Sequence, residues 1–584
     1  MILVQNREFT ECYFITSDNV ELCYKHWNTQ EKSDKAIILF HRGHEHSGRL
    51  QHIVDELNLP DVHMFAWDAR GHGKSPGIRG YSPSVDRSIT DVEEFVNHIS
   101  ENYEIPIKNI VVIAQSIGAV YALAWAHDYA PHIRGLIIAS PAFDVKLYVP
   151  FARQLIDLGQ KIIGPFYVTS YVKARFLTHD QKRIESYNSD PLITKQIATN
   201  ILLELFKTSE RIVADAAAIK IPLQLFISGS DFVVHKKAIY RFYDNVGSLQ
   251  KEKHILNGFF HDTLGEKDRA PVMAQMREFI CRKYDEPVFN YDYSEEDKTG
   301  PSAQKMQEIQ LPSKFWFKKF YYGFLTWMLH HFGALSDGMS CGLKNGFDSG
   351  ISLDYVYQNK PKGKFFIGKI IDKAYLNNVG WRGVRERKQQ LIGKIHWAIE
   401  KNKAKGCLSR IVDVAAGGGR YIFEALQNNY TNVEKVLLRD FSADNVAQGV
   451  KNIDEKKLGK IVDFVQGDAF SEESLAQIKI RPNIAVVSGF FELFPNNDLL
   501  HTTLSGLSAI METDGYLIYT NQPWHPQQEL IARVLNSHQQ GKPWVMRCRS
   551  QAEMDSLVEQ CGFEKISQVC SECGIFTVSI ARKL

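Results

Sequence analysis

No stretch of this chain approaches the roughly 18 consecutive apolar residues of a spanning helix, so no transmembrane segment is expected. The first eight residues hold no basic segment followed by an apolar stretch, so no secretory signal is expected either. Neither sign of charge predominates: the formal net charge is +2, which gives no reason to expect a nucleic-acid partner. Cysteine is scarce, scattered and odd in number, nine in all, as in a reducing compartment. The expected location is the cytosol. Cys570 and Cys573 form a single short pair without a partner pair, and no metal is expected there. No internal repeat is present. What remains is ordinary globular protein, 44% hydrophobic and 23% charged. At 584 residues it is too long for one core; its length suggests about three to four domains, or two if they are large α/β domains.

The chain divides by pattern. Apolar, β-branched runs at 36–40, 64–67, 110–114, 135–139 and 223–228 alternate with helical patterns and predict a parallel sheet across 1–285. Residues 286–312 have few large aliphatics and predict a linker. A second alternation begins near 405, with strands expected at 410–414, 435–439, 461–466, 484–488 and 516–520. It restarts with a new glycine turn, which predicts a second doubly wound sheet over 405–584. Residues 313–404 are expected to be a helical roof or connector of that second domain.

Ser116 follows an apolar strand and precedes a helical run at 117–127. A serine on a sharp strand-to-helix turn stands clear of the sheet, provided that small residues flank it at two positions either side. Gly118 is one of these; Ala114 stands where the other is usually glycine. A serine nucleophile needs a base and the base an orienting carboxylate, here in the order Ser116, Asp231, His261. Both partners fall in loops beyond expected strand ends.

With these residues, the motifs at 41–49, 68–75 and 177–192 make the first 285 residues resemble the monoacylglycerol-lipase and lysophospholipase branch of the α/β-hydrolases. Residues 144–220 are inserted between expected strands and read as a helical cap; the resemblance implies a lipid-like ester as substrate. It also implies an oxyanion hole built by the backbone N–H groups of Gly43 and Ile117. Arg42, His44 and Gln115 depart from the usual residues. The apolar stretches at 149–151 and 162–168 are expected to line an acyl site or to pack on the sheet. His41, His44 and His46 are expected to shape the oxyanion loop and not to bind a metal.

In the second half, Gly417 and Gly419 let backbone approach a ligand, and the helix after them turns its N-terminus towards it. Asp440 ends the next expected strand, where an acid can accept both ribose hydroxyls. Gly467-Asp468 ends the third. This series resembles class I S-adenosylmethionine-dependent methyltransferases over 405–584, which implies a Rossmann-like fold and S-adenosylmethionine as cofactor. The resemblance assigns Asp413 to the methionine end, Gly417 and Gly419 to the turn, Asp440 to the ribose and Asp468 to the adenine. Ala415 replaces a usual glycine. The acceptor is unidentified: the stretch after the fourth strand lacks the Asn-Pro-Pro-aromatic signature and has no cysteine, and Glu492 reads as a base or as a helix-start residue.

Residues 314–332 are dense in aromatics and carry three lysines. They read either as a helix at a membrane interface or as one packed within the protein. The whole order resembles a bifunctional enzyme that cleaves a lipid-like ester and methylates a small-molecule or lipid acceptor. The competing reading is a membrane-associated scaffold that binds lipid and S-adenosylmethionine with one site inactive.

Overall fold

A computed structural model describes residues 6–170, 172–427, 430–538 and 541–584, apart from the side chain of Cys573. The chain forms two compact units, the first ending at Tyr291 and the second running Asp292–Leu584.

The first unit has the α/β-hydrolase fold. Its sheet contains β1 (Thr10–Ile15), β2 (Glu21–Trp27), β3 (Ala36–Phe40), β4 (His63–Trp67), β5 (Ile110–Gln115), β6 (Gly135–Ala139), β9 (Leu223–Ser228) and β10 (Lys251–Leu256), in the order β1-β2-β4-β3-β5-β6-β9-β10. Every residue of β3, β4, β5, β6 and β9 is buried. This is why those five strands read as unbroken apolar runs: helices cover both faces of a parallel sheet. The strands without such runs lie at the edges. The β1–β2 hairpin pairs antiparallel, and β10 is half-exposed along its length. The strand order reverses between β3 and β5, and a doubly wound sheet has its crevice at such a point. Between β6 and β9 the chain forms a cap of three helices, Ala152–Ile163, Gln181–Ser189 and Thr199–Ala214. A two-stranded antiparallel sheet of β7 (Tyr167–Thr169) and β8 (Gln196–Ala198) lies among them.

The second unit has a Rossmann-like fold. Its strands are β11 (Ser409–Asp413), β12 (Val433–Asp440), β13 (Val462–Gln466), β14 (Ile484–Val487), β15 (Tyr516–Asn521), β16 (Phe563–Cys570) and β17 (Thr577–Lys583), ordered β13-β12-β11-β14-β15-β17-β16. The first five are parallel; β17 inserts antiparallel between β15 and β16. The reversal lies between β11 and β14. The helix Val379–Ala404 packs Leu391, Ile395 and Ile399 into the core on one face of this sheet.

The segment expected to be a linker, 286–312, carries two helices, Glu296–Thr299 and Pro301–Gln310. Their sparse apolar residues fall on one stripe: Ala303 and Ile309 are buried and Met306 is half-buried between them. Asp297 accepts the N–H of Asn497 at 2.8 Å, Arg533 donates to the carbonyl of Leu311 at 2.9 Å, and the Lys305 ammonium stands 5.1 Å from the Trp524 ring centroid. Residues 292–312 are therefore fastened within the second unit, whereas 286–291 belong to the first. Further helices at Trp316–Phe332, Asp337–Asn345, Gly350–Gln358 and Phe365–Leu376 follow. Phe347, Val356, Tyr375 and Trp381 form a small core of their own with Ile575 and Phe576.

Candidate active sites in the two units

Ser116 sits between β5 and the helix Ile117–Asp128 with φ 58° and ψ −118°. A serine pays about 1–3 kcal/mol for such a backbone, and the strain lifts its hydroxyl out of the sheet. The turn closes because a side chain is missing: a Cβ on Gly118 would lie 2.4 Å from the carbonyl oxygen of His41. Ala114, two residues before the serine, is buried in β5, and its methyl group fits there.

Three side chains from three loops meet at this turn. His261 Nε2 is 2.8 Å from Ser116 Oγ, and His261 Nδ1 is 2.7 Å from Asp231 Oδ2. The other oxygen of Asp231 accepts the N–H groups of Val233 and Val234 at 2.7 and 3.0 Å. Burial favours the neutral acid, but the His261 ring and these two amides prevail and hold the Asp231 pKa below its ordinary value. The fixed carboxylate selects the tautomer with hydrogen on Nδ1, leaving Nε2 free to accept from the serine hydroxyl.

Gly43 follows β3 and Ile117 begins the helix, so both lie at the sheet's reversal point. Ile117 is the first residue of its helix and has no intrahelical acceptor for its N–H. A Cβ on Gly43 would stand 2.5 Å from Ile117 Cδ1, so a larger residue there would have to turn the tip of the Ile117 side chain aside. Both residues line a cavity of about 320 Å³ together with Ser116 and His261. Its other walls are largely apolar and come from the cap and the loop before it: Val145, Leu147, Val149, Ile156, Leu202 and Leu205 among them. Val149 and Val168 line this cavity, whereas Phe151, Ile162 and Ile163 are exposed instead at 71–75%.

Of the departures noted in the sequence, Arg42 and Gln115 have side-chain partners, as does the neighbouring His41. His41 accepts the N–H of Ala69 at Nε2 (3.0 Å), and its Nδ1 meets the Arg42 carbonyl at 2.6 Å, so it ties down the oxyanion loop. Burial pushes its pKa below the usual imidazole value. Arg42 pairs with Glu45 through two hydrogen bonds and faces Asp262 at 3.4 Å. Gln115 donates to the carbonyl of His261 at 2.9 Å, and its amide oxygen receives the N–H of Leu264 at 3.4 Å. No single-sequence signal announces this arrangement, because Gln115 acts through backbone 146 residues away.

In the second unit the turn after β11 places Gly417 at φ 54° and Gly419 at φ 69°. A Cβ on Gly419 would crowd Leu438 at 2.8 Å, whereas one on Gly417 would meet nothing within 4 Å. Gly419 thus serves packing, and Gly417 faces open space at the reversal point. Asp440, ending β12, accepts the N–H of Gly417 at 2.8 Å through Oδ2. Its Oδ1 accepts from the Ser442 N–H and the Asn445 amide, both at 2.9 Å. Each carboxylate oxygen has two lone pairs, so Oδ2 keeps one for a ligand hydroxyl. Asp468, after β13, is half-buried and accepts the N–H of Phe470 at 2.8 Å. Phe441, which the sequence reading did not single out, directly follows Asp440 and exposes 74% of its surface. A large apolar side chain next to a polar site and left in solvent is the signal that could have found it.

Asp413, ending β11, is fully buried. It accepts the Tyr421 hydroxyl at 2.6 Å and the N–H of Ala415 at 3.2 Å. Burial dominates and pushes its pKa up to about 7, against the pull of those two bonds. Ala415 is half-buried at the start of the turn. Glu492, ambiguous in the sequence, is the middle residue of the short helical turn Phe491–Leu493 and is buried; it accepts from Arg387 at 3.2 Å and from Thr520 at 2.8 Å. A separate cavity of about 800 Å³ lies in this unit, walled in part by Tyr322, Asp348, Leu493 and Trp544.

Comparison with known proteins agrees with this division. A family profile described as "Putative methyltransferase" matches residues 276–583, and one described as "Serine aminopeptidase, S33" matches residues 31–268. Over 98% of both chains the protein is 53% identical to the "Uncharacterized protein YnbC" of Escherichia coli strain K12. The first half is 25% identical to the phospholipase YtpA of Bacillus subtilis, over 42% of this chain and 94% of that one. It is 23% identical to the monoglyceride lipase of Rattus norvegicus, over 43% of this chain and 82% of that one.

Proposed function

The chain belongs to the family described as "Putative methyltransferase", and we propose that it is a bifunctional enzyme. One unit is a serine hydrolase for a lipid-like ester of monoacylglycerol or lysophospholipid type. The other is an S-adenosylmethionine-dependent methyltransferase for a small-molecule or lipid acceptor.

The observation that carries the first half is the bonded series Asp231–His261–Ser116 opening into a largely apolar cavity. Ser116 Oγ attacks the ester carbonyl while His261 Nε2 takes its proton. Asp231 holds the ring and stabilises its charge. The carbonyl oxygen, now negative, meets the N–H groups of Gly43 and Ile117, each worth about 3 kcal/mol in a transition state. His261 then gives the proton to the leaving alcohol, and water releases the acyl group from Ser116 by the same path reversed. The acyl chain occupies the apolar part of the cavity; a single chain suits about 320 Å³ better than two.

The second half rests on Gly417, whose open side faces the reversal point beside the carboxylate of Asp440. These residues fit a nucleoside with a free ribose edge: Asp440 Oδ2 to one of its hydroxyls, Phe441 and Asp468 to its base, and the Asp413–Gly419 turn to its amino-acid end. When bound, S-adenosylmethionine supplies an electrophilic methyl group. The chain's own task is to hold donor and acceptor in line.

Labelling by a fluorophosphonate, release of fatty acid from monoacylglycerol and lysophospholipid, and calorimetric titration with S-adenosylmethionine test the two halves separately. Absence of labelling and of ester turnover would refute the first; absence of binding by folded protein would refute the second.

A further inference from the structure

We propose that the second unit docks on an anionic lipid bilayer through a face built by two helices, Trp316–Phe332 and Phe365–Leu376. The first helix buries none of its residues. Its half-buried side chains, Lys318, Tyr322, Leu325, Thr326 and Leu329, lie on one stripe against the rest of the unit. Lys318 pairs there with Glu529 at 2.8 Å, and the Arg533 guanidinium lies 5.7 Å from the Tyr322 ring centroid. The opposite stripe is aromatic and in solvent: Trp316 is 79% exposed and Phe320 73%, with Phe324 and Trp327 each at 48%. The second helix begins in the same way, with Phe365 at 83%, Phe366 at 78% and Ile367 at 63% exposed.

The two runs belong to one surface because their ends are fastened together. The N–H of Lys364 donates to the carbonyl of Leu335 at 2.9 Å, three residues past the end of the first helix. Gly363 and Gly368 both press against that same carbonyl, at a distance where a Cβ would clash. Asp372 secures the junction: fully buried, it accepts from Ser336 Oγ and the N–H groups of Gly338 and Lys362, and from the Tyr355 hydroxyl, at 2.5–2.9 Å. Phe365 is held at φ 57°, an uncommon conformation for a bulky side chain. The aromatic tips are thus presented by a junction held by the hydrogen bonds of Asp372 and Lys364.

The charge selects the occupant. Residues 314–332 contain three lysines and no Asp or Glu; Lys318 is engaged by Glu529, and Lys314 and Lys319 are exposed. Residues 360–373 contain five lysines, and the one acid there is the buried Asp372. Two copies apposed through this face would set lysines against lysines, so self-association is disfavoured. Aromatic rings at headgroup depth with lysines reaching anionic phosphates satisfy both features at once. No helix among the described residues is long and apolar enough to cross a membrane, so the contact is interfacial. The inference does not depend on either proposed activity.

The full chain is sedimented with vesicles of phosphatidylcholine alone and of phosphatidylcholine with phosphatidylglycerol, at low and high salt. Binding to the anionic vesicles is expected, weakened by salt and by omission of phosphatidylglycerol. The double variants Phe320→Ser/Phe324→Ser and Phe365→Ser/Phe366→Ser should each lower partitioning about tenfold or more. Circular dichroism and unchanged melting temperature establish that each variant is folded. Folded variants that bind like the parent would overturn the proposal and move any membrane contact to the exposed cap helix of the first unit. Equal binding to neutral vesicles would overturn the charge argument. A parent that is dimeric and ignores vesicles, with monomeric variants, would make this face a contact between copies.

Discussion

The backbone N–H of Gly417 donates to Oδ2 of Asp440 at 2.8 Å, so the glycine turn after β11 is locked to the acid that ends β12. One carboxylate therefore both shapes the turn and offers a lone pair to a ligand. Asp440→Ala should weaken binding of S-adenosylmethionine about 5–150-fold, the equivalent of about 1–3 kcal/mol for a hydroxyl left unpaired. Asp440→Asn, which keeps an acceptor for Gly417, should lose less. Calorimetry on both variants measures this, with ester hydrolysis on the same samples as the control. Unchanged affinity in Asp440→Ala would mean that the nucleoside lies elsewhere.

The difference between what could and could not be read from the sequence has a physical basis. Buried parallel strands are apolar throughout, so β3, β5, β6 and β9 were readable to within a residue or two. The antiparallel β1, β2, β16 and β17 show no such run, and β10 lies at an edge with polar residues; none was foreseen. Ser116, Asp231 and His261 were legible because a strand-to-helix turn and a fixed chain order constrain them. Gln115 and Asp262 were not, because their partners are backbone and charges far off in sequence. The helix Pro301–Gln310 hid behind a composition typical of linkers, since a short stripe of three apolar residues suffices to dock it.

Ser116→Ala should abolish labelling by a fluorophosphonate and lower ester turnover by about 10⁴-fold or more. The melting temperature should hold or rise, because a strained position loses only a hydroxyl. Persistent labelling in the variant would mean that another nucleophile carries the activity.

Gln115→Ala removes the amide that holds the loop carrying His261 and Asp262. This residue positions the base and does not touch substrate, so kcat should fall about tenfold while KM for a short ester stays within about twofold. Gln115→Glu, which loses the donor but keeps the volume, should resemble the alanine variant. A change confined to KM would instead place Gln115 in the substrate pocket.

A second-unit fragment should start before the helix Pro301–Gln310. Fragment 292–584 should melt higher than fragment 312–584, which loses buried Ile309, worth about 1.5–3 kcal/mol, and the Asp297–Asn497 bond. Equal melting temperatures would show that residues 292–311 add nothing to this core.

Asp413 should make the second unit less stable as pH rises. Its pKa in the folded chain is about 7, well above the ordinary 3.8 expected once unfolded. Between these values the folded state binds more protons than the unfolded state, so stability falls as pH climbs through the window. Below about pH 4 both states are protonated and the carboxyl costs nothing; above about pH 7 the full cost, a few kcal/mol, is present. Asp413→Asn removes the titration and keeps an oxygen for the Tyr421 hydroxyl. Its stability relative to the parent should therefore improve from pH 5 to pH 8, read from the second unit's transition in differential scanning calorimetry of the full chain. The absolute gain depends on how the new amide hydrogens are accommodated, whereas the pH slope does not. A parallel shift at both pH values would show that Asp413 is already ionised in the folded chain at pH 5. A carboxylate kept at such a cost beside the glycine turn is best explained by a ligand it serves, so the same variant should also bind S-adenosylmethionine more weakly at pH 8.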